Sequence, residues 1–177
     1  MNKSIDFPLN TEYPSYAEMY MKLVIRDGSL LKQLKETKIT TQKFISSLSE
    51  EELNYRYKPG KWSLKEVLVH IIDDERIYAY RALTFARNDK TELPGFDEER
   101  YTKYADVYSR TIESIIEEYD AVRMATITLF QSFSDEALLR IGTANKNKTS
   151  VRALGYHILG HELHHIQILQ DRYLKSL

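Results

Sequence analysis

The chain has 177 residues, 42% of them hydrophobic and 29% charged, with 25 Lys and Arg against 26 Asp and Glu for a net charge of −1. That length predicts one domain over 1–177 with a real core, and the near-neutral balance lacks the basic footprint that nucleic-acid binding requires. With 0 Cys there is no disulfide framework, thiolate metal site or cysteine nucleophile, so metal ligands must be His, Asp or Glu.

The first residues, 1–13, carry no apolar run of signal-peptide length, and no stretch approaches the ~20 apolar residues that span a bilayer. A cytoplasmic protein acting on a small molecule, away from membranes and nucleic acid, is the expectation. Only 6 Gly and 4 Pro punctuate the chain, so long uninterrupted stretches favour helices.

After an N-terminal extension over 1–15, a short helical turn is expected over 16–24. A first long helix follows over 29–48, with Leu30, Leu31, Leu34, Phe44, Ile45 and Leu48 apolar, although the β-branched run 37–41 weakens its middle. Pro59-Gly60 then makes a turn, and Ser63 with Glu66 forms a capping box opening a second helix to about Arg87. Residues 88–100, containing Leu93-Pro94-Gly95-Phe96, read as a loop. A third helix is expected over 104–133, the polar stretch 142–149 as a loop, and a last helix from a Thr149 or Ser150 cap to about Leu174. Long helices without alternating strands or repeats predict an all-α four-helix bundle.

The five His carry most of the functional information. His157, His161, His164 and His165 share one face of the last helix, and His161 and His165 lie nearest the apolar residues Leu154, Ile158 and Leu169. An i, i+4 pair can reach a common ion. His70 lies inside the apolar run Val67-Leu68-Val69-His70-Ile71-Ile72, where a polar ring needs a partner. One inward His is more often a hydrogen-bonded core residue than a ligand, but His70 with the His161/His165 pair points to a metal with an open coordination position. His157 and His164 fall to core, surface or supporting roles.

Two other motifs overlap this cluster. His161-Glu162-Leu163-His164-His165 matches H-E-x-x-H, with Glu162 as candidate base, but no third His or Glu ligand follows among residues 166–177. Glu162 and His165 also form one Glu-x-x-His step, whereas di-iron bundles need two. On the second helix Asp73, Asp74 and Arg81 form a polar strip on the His70 face. A carboxylate there can orient an imidazole or act as a base, and Arg81 can hold an anionic group. The plainer reading is an ion-pair ladder, Asp73 with Arg76 and Asp74 with Arg81.

The run Tyr57-Lys-Pro-Gly-Lys-Trp62-Ser63 through His70-Ile-Ile-Asp73-Asp-Glu75-Arg76, then Pro94-Gly-Phe-Asp-Glu-Glu, then His161-x-x-His164-His165, resembles the DinB/YfiT-like superfamily over about 48–169. The resemblance implies a four-helix bundle holding one divalent metal on His70, His161 and His165. It also implies a metal-dependent hydrolase, or a transferase using a low-molecular-weight thiol such as bacillithiol or mycothiol, with zinc or nickel as the metal and a homodimer as the assembly. Trp62 matches the family's Trp-Ser step and is expected to pack under the helix start, and Asp73 matches its acidic position. Glu162 has no fixed role there. A non-catalytic metal-binding or stress-response bundle with the same trio is the alternative.

Overall fold

Short polar side chains close the first turns of most helices. Ser49 with Glu52 and Ser63 with Glu66 form complete capping boxes, and the side chains of Asp97, Thr111, Ser134 and Ser150 each accept a bond from a backbone N–H of the turn they open. The computed structural model describes residues 3–176. Its elements are α1 (Glu18–Met21), α2 (Leu30–Ser46), α3 (Glu50–Asn54), α4 (Leu64–Ala86), α5 (Glu98–Tyr104), α6 (Ile112–Ser132), α7 (Asp135–Leu139), β1 (Ile141–Ala144), β2 (Asn147–Ser150) and α8 (Val151–Ile168).

The four long helices, α2, α4, α6 and α8, make the bundle: α4 and α2 each pack against both α6 and α8. Residues ahead of α1 are tied to this bundle, since Ile5 is buried, its N–H donates to the Gly28 carbonyl at 2.9 Å, and its carbonyl accepts from Tyr156 Oη at 2.7 Å. The α8 stretch from Ala153 to Glu162 is buried on every side, as expected of a helix enclosed by its neighbours.

The apolar core divides into two clusters. One gathers Leu30, Leu34, Phe85, Phe130, Tyr156 and Leu159. The other gathers Leu53, Leu64, Leu68, Ile115, Tyr119 and Leu169. Between them, in the order of residues along α4, α6 and α8, fall Asp74, Glu75, Arg123, Thr126, His161 and Glu162, with His70 just inside the second cluster's stretch of α4 and His157 just inside the first cluster's stretch of α8, all buried. A polar layer therefore crosses the middle of the bundle, and the candidate site belongs to it.

Three expectations need correction. The segment 88–100 is not loop throughout, because Asp97 caps α5; and the third helix starts only at Ile112, because Asp106 takes φ 47° and a short 3-10 turn, Val107–Ser109, intervenes before Thr111. The stretch 142–149 is a hairpin: β1 and β2 pair antiparallel, Asn145 and Lys146 turn at φ 49° and 63°, and Leu93 bridges to Ala144. Beyond Ile168 the last helix widens into a π turn, Leu169–Tyr173. The expected turn over 16–24 is a 3-10 turn, Ser15–Ala17, running into α1. No helix among the described residues is long and apolar enough to cross a membrane.

Candidate metal centre

His70 projects from α4 and His161 and His165 from α8, the two helices in extensive mutual contact. His161 Nε2 stands 3.2 Å from His70 Nε2 and 3.1 Å from His165 Nε2, and one ligand atom from each residue falls within 4.8 Å of the others. Nitrogens bound tetrahedrally at about 2.0–2.1 Å from zinc sit roughly 3.3 Å apart, so the spacing matches a hole of ionic size. His70 and His161 are buried and His165 partly so.

Burial keeps these rings neutral. It lowers the pKa of His70, lowers that of His161 well below the usual imidazole value with help from the neighbouring histidines, and brings His165 down to about 3. A neutral imidazole keeps the lone pair that a metal requires, whereas packed imidazolium rings would repel one another. Asp74 Oδ2 lies 3.4 Å from His161 Nδ1. With the Nδ1 proton facing that carboxylate, His161 Nε2 turns its lone pair toward the other two rings.

Aromatic side chains wall the cluster. The Trp62 ring lies 4.9 Å from that of His70, and its Nε1 donates to Glu99 Oε2 at 3.1 Å, so the residue ahead of the Ser63 cap touches the site directly and links it to α5. Tyr20 of α1 meets His157, His161 and His164 edge-on at 4.9, 5.4 and 5.4 Å. His157 is not a member of the trio: it stacks on Tyr78 at 3.8 Å, with its Nε2 3.6 Å from Asp74 Oδ2. A cleft of about 210 Å³ opens beside His165, bounded by Trp62, Tyr57, Val67, Ile168 and Tyr173. This is the approach to the trio.

The remaining candidates lie elsewhere. Asp73 is partly buried, 4.0 Å from Arg76, with its carboxyl pKa raised by burial and by Glu118. It borders a separate cleft with Arg100, Tyr101 and Tyr104. Arg81 is not paired with Asp74; its Nη2 donates to the Pro94 carbonyl at 3.2 Å and its guanidinium covers Tyr78 at 4.7 Å.

Glu162 has a different place from the general base of an H-E-x-x-H site. Its Oε1 accepts from Tyr119 Oη and its Oε2 from Arg123 Nη1 at 2.8 Å. Arg123, fully buried, also forks onto Glu75 with contacts of 2.7 to 3.1 Å and donates to Thr37 Oγ1 at 2.8 Å. This network, centred on a residue the sequence reading did not single out, joins α2, α4, α6 and α8 and occupies both oxygens of Glu162.

The DinB superfamily model matches residues 33–169, from α2 to the end of α8. A protein of Oceanobacillus iheyensis named "putative metal-dependent hydrolase" is 27% identical over 148 residues, covering 82% of this chain and 84% of its own. The fold is similar to that of YfiT from Bacillus subtilis, described as "a probable metal-dependent hydrolase with an unusual four-helix bundle topology", at a TM-score of 0.71 and 12% identity over 97% of this chain and 94% of that one. It is also similar to the DinB-like protein YjoA from Bacillus subtilis, at a TM-score of 0.59 and 16% identity over 83% and 90% of the two chains.

Proposed function

The chain belongs to the DinB superfamily, and on that footing we propose that it is a metal-dependent hydrolase of small molecules, with one divalent ion held by His70, His161 and His165. The convergence of three neutral imidazole nitrogens, with neighbouring pairs 3.1 and 3.2 Å apart, carries this reading. The name of the Oceanobacillus relative supports it. Zinc and nickel are the proposed metals, because a site of imidazoles alone suits both. A divalent ion there supplies Lewis acidity, which lowers the pKa of a nucleophile and polarises the bond under attack.

The rest of the work falls to the chain itself. Asp74 orients the His161 ring, Trp62 and Tyr20 exclude bulk water from the ring faces, and the cleft beside His165 admits the substrate. A thiol nucleophile is the second reading, and the state of the acids favours it. Glu162 is bound by Arg123 and Tyr119, which leaves neither of its oxygens free as a base, and Asp74 is turned toward His161 and His157. A thiol, far more acidic than water, needs no such base; in a chain with 0 Cys it must arrive as a cosubstrate.

The two readings separate in one assay. Protein loaded with zinc or nickel is offered activated esters alone, and 1-chloro-2,4-dinitrobenzene with and without a small thiol. Metal-dependent ester cleavage lost in His161→Ala supports hydrolysis, and thiol-dependent turnover with the same losses supports transfer. Turnover that survives removal of the metal contradicts both.

A further inference from the structure

Three cationic side chains are buried among the described residues: Lys65, Arg81 and Arg123. Lys65 reaches Glu50 at 3.6 Å, and Arg123 holds both Glu75 and Glu162. Arg81 is the exception. Only 5% of it is exposed, yet among the described residues no carboxylate stands within 4.0 Å of its guanidinium. Its hydrogen bond goes to the Pro94 carbonyl, and its guanidinium stands over the face of Tyr78. Neither carries a formal negative charge, and a buried charge without a counter-ion is costly.

Arg81 also lines a cleft of about 300 Å³ between α4 and the segment leading into α5, beside Arg76, whose own guanidinium is exposed and paired with Glu118. Ile77, Tyr80, Leu93, Phe96 and Tyr101 supply its apolar walls. An open, mostly apolar cleft whose one buried cation has no carboxylate partner is the complement of a small molecule with an apolar body and a single carboxylate. Arg81 follows His70 by eleven residues on α4, about 16 Å along the axis, and none of His70, His161 and His165 lines this cleft.

We propose that this cleft is a second ligand site, which takes small aromatic or aliphatic carboxylates and seats the carboxylate on Arg81. The site stands apart from the metal reading and does not depend on it.

Calorimetric titration of the full-length protein near neutral pH with benzoate, phenylacetate, 3-phenylpropionate and hexanoate, each beside its neutral amide, tests this. At least one acid should bind saturably at one site per chain, at least about tenfold more tightly than its amide. That binding should weaken by a similar factor in Arg81→Gln and again in Phe96→Ala, a wall residue. If Arg81→Gln does not fold, the acid and amide pairs on the unaltered chain together with Phe96→Ala decide. No saturable binding by any of the acids, equal binding of acid and amide, or binding unchanged in folded Arg81→Gln would overturn the proposal.

Discussion

At the scale of single residues, Asp74 has the clearest supporting role, because it is buried and faces Nδ1 of His161, whose Nε2 stands 3.1 and 3.2 Å from Nε2 of the other two members of the trio. Asp74→Asn should keep the fold and weaken metal binding by roughly 10- to 100-fold, since a ring without its carboxylate partner is a poorer and less oriented ligand. Competition with a chromogenic chelator measures this, and an unchanged affinity would remove Asp74 from the site. Glu162 should behave in the opposite way. Glu162→Gln is expected to keep the metal while losing stability, whereas Arg123→Met, which strands two buried carboxylates, should cost about 3–5 kcal/mol in urea unfolding. The trio was legible because a helical i, i+4 pair and a lone His in an apolar run are local patterns. Arg123 was not, because its partners Glu75 and Glu162 lie 48 and 39 residues away on other helices, and nothing in Asp120-Ala121-Val122-Arg123 announces burial.

At the scale of elements, the approach of α1 to α8 rests on Gly160. A Cβ there would stand 2.4 Å from the Tyr20 carbonyl oxygen, so only glycine lets the α1 backbone come close enough to lay Tyr20 across three histidines. Gly160→Ala should therefore cost about 1–3 kcal/mol through overpacking, read from the urea midpoint, and an unaffected midpoint would mean that α1 is not held there. The bundle helices were readable from caps and apolar spacing, and the run 37–41 did not break α2, because packing against α6 and α8 outweighs a modest loss of propensity. The hairpin was not readable. Its turn is Asn145-Lys146 where Asn-Gly is the usual signal, and its pairing is completed by Leu93 from a distant segment. The Ser49/Glu52 box, by contrast, had a visible signature in Ser49-Glu50-Glu51-Glu52, and α3 could have been found from it.

At the scale of the whole molecule, two apolar clusters close over a polar layer, and burial keeps His70, His161 and His165 neutral. Their folded pKa values lie below the ordinary 6.5, down to about 3 for His165. As pH falls through 6.5 the unfolded chain takes up protons that the folded chain refuses, so stability drops with pH, and for His165 the loss continues toward 3. The metal-free protein should lose about 1.4 kcal/mol per pH unit for each fully responding histidine below that point. Urea midpoints near pH 7.5 and 5.5 measure this, in a range above most carboxylate titration. Equal midpoints would mean that the rings are protonated in the fold and cannot converge as neutral ligands.

The central claim is that His70 and His161, on different helices, serve one ion. Its most direct test is elemental analysis of the untagged protein beside His70→Ala and His161→Ala, all reloaded with zinc or nickel and confirmed as folded. The expected result is about one divalent ion per chain in the parent and none in either variant. No metal in the reloaded parent, or metal retained without His70, would contradict the site.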